Sequence, residues 1–136
     1  MKKFTLVLLG IITMLSGCHA QNYSGEMAIH SSQIFTSDNY YEEYITVCTN
    51  LKKIDNYEMC AQEIIDHCIA NNFENILFDY NNRGYPNRLV ATVFSNSNDM
   101  KKGRAAFQLT YSADSLEFDI KNNPDHCAME IQVYSR

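Results

Sequence analysis

Glycine and proline are scarce in this chain of 136 residues, which has five glycines, two of them at Gly10 and Gly17 near the start, and two prolines. Loops that cradle phosphate with bare backbone need runs of glycine, and neither a Walker loop nor a dinucleotide fingerprint is present. The signatures G-x-S-x-G and H-E-x-x-H are missing as well, so no hydrolase or zinc-protease site can be read, and no catalytic residue, cofactor or metal is expected. Heptads, tandem repeats and low-complexity tracts are absent. Positive charge is short, with 11 Lys and Arg against 16 Asp and Glu. An acidic surface disfavours nucleic acid as a partner and suits a basic protein.

Residues 4–15, FTLVLLGIITML, form an uncharged and mostly apolar run. Twelve residues make a helix of about 18 Å against a hydrocarbon core of about 30 Å, too short for a comfortable span. Lys2 and Lys3 precede the run and the small residues Ser16 and Gly17 follow it, which is the layout of a secretory signal. Leu15-Ser16-Gly17-Cys18 then resembles the lipobox of bacterial lipoproteins. That resemblance, confined to residues 1–18, implies cleavage after residue 17 and lipidation of Cys18. An ordinary signal cut after Ala20 is the alternative. His19 stands where the inner-membrane retention signal would place Asp, which favours a periplasm-facing anchor in the outer membrane. Losing Lys2 and Lys3 leaves nine basic against sixteen acidic residues, a formal charge of -7.

The organisation expected behind the signal is a lipidated N-terminus and tether over residues 18–37, then one domain over 38–136. Tyr44, Val47, Cys48, Leu51 and Ile54 recur at helical spacing, with Asn39 and Glu42 placed as a capping box. A second helix is expected over residues 56–71, with Asp55 and Glu58 as its capping box. No Gly or Pro interrupts the stretch from Tyr40 to Asn72, so one long helix is possible, but Asp55-Asn56 favours a break. Strands are expected over 75–80, 88–95, 104–112, 116–120 and 128–134, separated by turn-rich segments. Short links favour an antiparallel meander. The expected fold is therefore α+β in two layers, a helical hairpin packed on about five antiparallel strands.

Besides Cys18 the chain has Cys48, Cys60, Cys68 and Cys127, an even number that reads as two disulfides in an exported domain. On one helix Cys60 and Cys68 would stand about 12 Å apart, too far to bridge. A hairpin turning near Asp55 favours Cys48 with Cys60 and Cys68 with Cys127. The sharper alternative is zinc, since Asp66-His67-Cys68 and Asp125-His126-Cys127 are two copies of D-H-C. Adjacent residues diverge too widely on a helix or a strand for each pair to bind one ion easily.

Candidate binding residues fall in two places. The loop NNRGYPN offers Arg83, a bidentate donor, and Tyr85, held by Pro86 and placed either for contact at the surface or for packing at the core edge. Glu42 and Glu43 supply negative charge on the expected first helix, where a basic partner could dock. Tyr40, Tyr41 and Tyr44 cluster nearby, and Tyr44 and Tyr111 are expected in the core. Together these features point to a membrane-tethered, non-enzymatic protein-binding module: an inhibitor, an immunity-type protein or an assembly accessory. A structural or stress-sensing envelope lipoprotein, or a small envelope hydrolase, is the alternative.

Overall fold

The structure, a computed structural model, describes residues 27–135. The expected signal peptide and Cys18 lie outside the described residues. Five strands form one sheet in the order β1-β2-β3-β4-β5: β1 is Ala28–Ser37, β2 Tyr40–Cys48, β3 Arg88–Phe94, β4 Phe107–Ala113 and β5 Cys127–Val133. The helix α1, Tyr57–Ala70, crosses from β2 to β3, and two short helices, α2 at Tyr80–Arg83 and α3 at Ser97–Lys101, sit in the connections. The class is α+β, with a five-stranded, mostly antiparallel sheet, as the sequence indicates.

The helical hairpin is not formed. Residues 40–48 are strand β2, which pairs antiparallel with β1 through a turn at Asp38-Asn39. YYEEYITVC is rich in aromatic and β-branched residues, and this preference outweighs the accidental helical spacing. A buried carboxylate hides the strand period: Glu43, Ile45 and Val47 all face inward, and Glu43 is fully buried. Asn39 is thus a turn residue and caps no helix. The chain crosses from β2 to β3 through α1 and the short α2, and those strands run parallel, Glu43 opposite Leu89 and Val47 opposite Val93, so the sheet is no meander there.

The strand β1 also moves the domain boundary, because residues 28–37 belong to the sheet and are no tether. It carries a bulge at His30, where Ile29 pairs with Val47 and Ser31 with Thr46. The expected strands over 75–80 and 116–120 are not formed either. Their alternation is real, since Phe78, Tyr80 and Ile120 are buried, but the sheet leaves them no strand to pair with.

The expected second helix is present as α1. Its N-cap is Asn56, whose side chain accepts from Met59 N at 3.0 Å, in place of Asp55. It ends on Asn71 in the left-handed region, with Asn71 N donating to Cys68 O and Asn72 N to His67 O, a Schellman closure. Cys60, Ala61, Ile64, Ile65 and Cys68 form its buried stripe. They pack on Ile45, Val47, Leu89, Ala91, Val93, Phe107 and Leu109, so the core lies on one face of the sheet. Truncating Ile64 or Leu109 to Ala would cost about 2–5 kcal/mol.

Candidate binding surface

Every strand residue in the core cluster belongs to the face under α1. Alternation therefore places Ser31, Gln33 and Phe35 of β1, Tyr40, Glu42, Tyr44 and Thr46 of β2, Arg88, Val90 and Thr92 of β3, and Gln108, Thr110 and Ser112 of β4 on the opposite, open face. Register sets them in rows: Phe35, Glu42, Arg88 and Ser112 form one, and Gln33, Tyr44, Val90 and Thr110 the next. Phe35 is 54% exposed and packs edge-on against Tyr44, ring centroids 5.4 Å apart. With Gln33 and Glu42 they line a shallow depression.

Glu42 organises this face. Its carboxylate accepts from Tyr40 Oη at 2.5 Å, Tyr44 Oη at 2.6 Å and Arg88 Nη1 at 2.7 Å. Burial pushes Glu42 up, but the two phenols and the guanidinium outweigh it and hold the carboxyl below its ordinary value. Its charge is thereby spent inside the cluster, and what faces solvent is the aromatic rim. Tyr44, expected in the core, is exposed. Phe35 and Arg88 carry this surface without having been indicated by the sequence, because only the register across β1, β2 and β3 brings them beside Glu42.

Glu43 points the other way. Fully buried, it accepts from Tyr80 Oη at 2.5 Å and Ser32 Oγ at 3.2 Å, and burial raises its pKa above the ordinary carboxyl value. The Tyr80 and Tyr85 rings pack against each other, tilted by 32° with centroids 4.4 Å apart. Tyr85 is half-buried rather than free for contact: its hydroxyl donates to Ile69 O at 2.9 Å and accepts from Lys121 Nζ at 3.2 Å, and that Nζ lies 4.7 Å from the ring centre. Gly84, at φ +76° and ψ -176°, supplies the backbone turn that swings Tyr85 inward. Arg83 is exposed and lies 3.9 Å from Asp79. The sheet thus separates Glu42 from Glu43, and Tyr85 serves as a latch between α1 and its loop.

The structure holds Cys48, Cys60, Cys68 and Cys127 as free thiols. The pairing of Cys48 with Cys60 rested on a helical hairpin, and Cys48 instead ends β2, where its thiol donates to Asn50 Oδ1 at 3.4 Å. The Cys68–Cys127 bond is not formed either, and Cys127 Sγ donates to Asn123 O at 3.3 Å. Burial pushes Cys60 up to about 12 and Cys68 well above its usual range, which disfavours the thiolate at both. The two D-H-C copies stay apart in use: His67 meets Asn72 and Phe73, while His126 meets Asp114 and stacks on Phe118. Among the described residues no three His, Cys, Asp or Glu side chains gather to hold a metal, and no helix is long and apolar enough to cross a membrane.

Compared with known protein families, curated proteins and solved structures, the chain finds no match.

Proposed function

We propose that the chain is a bacterial lipoprotein, exported and anchored through Cys18 in the outer membrane, whose domain is a small non-enzymatic protein-binding module facing the periplasm. Its partner is a protein, basic by charge complementarity, and the module acts as an inhibitor, an immunity-type protein or an assembly accessory. The observation that carries the binding reading is the open face of the sheet, where Phe35 and Tyr44 stand exposed beside the Glu42–Arg88 pair. Rigid aromatics give contact area at low entropic cost, and a strand-borne patch is preorganised. The acidic balance of 16 Asp and Glu against 11 Lys and Arg favours approach of a basic protein.

Two measurements test this reading. Membrane fractionation of cells making the full chain should release the Cys18→Ser variant into the soluble envelope fraction, since stable anchoring needs the lipid. Retention of that variant, with its signal removed, would sink the anchor. Affinity capture with the lipidated chain from envelope extract should recover one stoichiometric basic protein, lost when Phe35 and Tyr44 are both changed to Ser. Capture unaffected by that double change would sink the binding face.

A further inference from the structure

The outer edge of β1 is only partly protected. In an antiparallel pair, alternate residues turn their backbone groups to opposite sides. Tyr41 donates to Asn87 Oδ1 and accepts from Asn87 N, so Tyr41 and Glu43 face β3, and Tyr40, Glu42, Tyr44 and Thr46 face β1. Their partners Ser37, Phe35, Gln33 and Ser31 then bond to β2, which turns the backbone groups of Ser32, Ile34 and Thr36 outward. Beyond the bulge Ile29 also faces out, and there the edge is closed. The Asn75 amide accepts from Ile29 N at 3.1 Å and donates to Ile29 O at 2.6 Å, taking the place of a neighbouring strand. Among the described residues nothing does the same for Ser32, Ile34 and Thr36.

Exposed edges are ordinarily blunted with lysine, proline or an inward charge. The segment SSQIFTS, residues 31–37, has none of these, and Ile34 and Phe35 are exposed along it. The opposite edge, β5, carries Glu130 and touches α1.

We propose that the outer edge of β1 pairs with the same edge of a second copy of this chain, antiparallel about Ile34, so that two sheets become one of ten strands. A two-fold interface requires a surface complementary to itself. About Ile34, Ile34 meets Ile34 of the second copy, Ser32 meets Thr36, and Gln33 meets Phe35. Three pairs with both backbone bonds exchanged give about six hydrogen bonds. The Ser–Thr pairs add a favourable cross-strand contact.

Charge selects a second copy over a basic protein at this edge. Two acidic molecules repel over most of their surfaces, but residues 31–37 bring no charge, Glu42 is neutralised by Arg88, and Glu43 is buried away from solvent. The two flanking ionisable residues are exposed His30 and Asp38, and the same symmetry brings Asp38 of each copy towards His30 of the other. A basic protein would find no free carboxylate between them. The pairing leaves the open faces of both copies on one side and shares only Phe35 with the binding face proposed above, whose other exposed ring, Tyr44, stands on β2.

The register can be read by cross-linking the full chain in cells. Gln33 and Phe35 would form a non-hydrogen-bonded pair with Cα atoms about 4.5 Å apart, within reach of a disulfide of about 4.4–6.8 Å. Co-expressed, differently tagged Gln33→Cys and Phe35→Cys chains should give a mixed disulfide dimer, mapped by mass spectrometry to residues 33 and 35. Each variant alone should give none at those positions. Ile34→Lys, at a position already exposed to solvent, should abolish the cross-link while wild-type protease resistance is retained. Absence of the mixed dimer with both chains folded, equal cross-linking by either variant alone, or persistence with Ile34→Lys would overturn the proposal.

Discussion

Asn87 holds Tyr41 by two bonds at once: its backbone N–H donates to Tyr41 O at 2.8 Å, and its side-chain oxygen accepts from Tyr41 N at 2.8 Å. The same side chain donates to Leu116 O and Phe118 O, so one amide starts the parallel ladder of β2 and β3 and fixes the loop after β4. Buried peptide groups that lose a partner cost about 1–3 kcal/mol each. Asn87→Ala should therefore lower unfolding stability by about 2–4 kcal/mol. Asn87→Asp, which keeps the acceptor and loses both donated bonds, should fall in between. Urea denaturation followed by circular dichroism measures both, and equal stability of wild type and the Ala variant would refute this role.

That substitution of a side-chain amide for a strand recurs. Asn71 closes on both backbone groups of Phe78, at 2.8 and 2.9 Å, and Asn75 closes on Ile29. It explains how the apolar alternation of residues 76–80 is buried without a strand. In the sequence Asn reads only as turn chemistry, because the distant backbone it will meet has no local signature. Strands β3, β4 and β5 and helix α1 were legible from period, propensity and turn residues. The strand β2 was not, since Glu43 occupies a core-facing position and breaks its alternation, and with it went the register that assembles Phe35, Glu42 and Arg88.

Glu43 and Glu42 should impose opposite pH dependences. Glu43 has its pKa raised above 4.5 by burial, so the folded state favours the protonated form. Its favourable contribution is fully present below the unfolded value and is lost as pH rises through the raised folded value. Glu42 is lowered, so its contribution is present above 4.5 and is lost as pH falls through its folded value. Glu43→Gln should remove the loss of stability on going from acidic to neutral pH while leaving the acid limb intact. Glu43→Ala should cost about 1–3 kcal/mol through the unpaired Tyr80 hydroxyl. Denaturation midpoints across pH check this, and a Gln variant with the wild-type profile would refute it.

The four cysteines of the domain should titrate as free thiols once the chain is unfolded without reductant. In the native protein, brief alkylation should mark Cys127 first, because it is half-buried whereas Cys48, Cys60 and Cys68 are buried. The raised pKa values of Cys60 and Cys68 slow them further, since the thiolate is the reacting form. Peptide mapping after alkylation reads the order. A Cys48–Cys60 or Cys68–Cys127 disulfide in the native protein would contradict it.

The last expectation separates the open face from the latch. Tyr44 and Arg88 lie on the interior strands β2 and β3, so changing them removes no outward backbone group of the β1 edge. Tyr44→Ala removes an exposed ring and one of three bonds to Glu42, while Arg88 keeps that carboxylate satisfied. Against the partner captured from envelope extract, it should cost about 2 kcal/mol or more of binding energy, the size of an interface hot spot, at little cost in stability. Tyr85→Ala should do the reverse. Its hydroxyl is bonded to Ile69 O and its ring lies against Tyr80, so the loss falls on unfolding stability while affinity holds. Calorimetric affinities and urea midpoints measured on both variants decide the matter. Should Tyr85→Ala weaken binding with its stability unchanged while Tyr44→Ala binds normally, recognition belongs to the loop carrying Arg83 and Tyr85 and not to the open face.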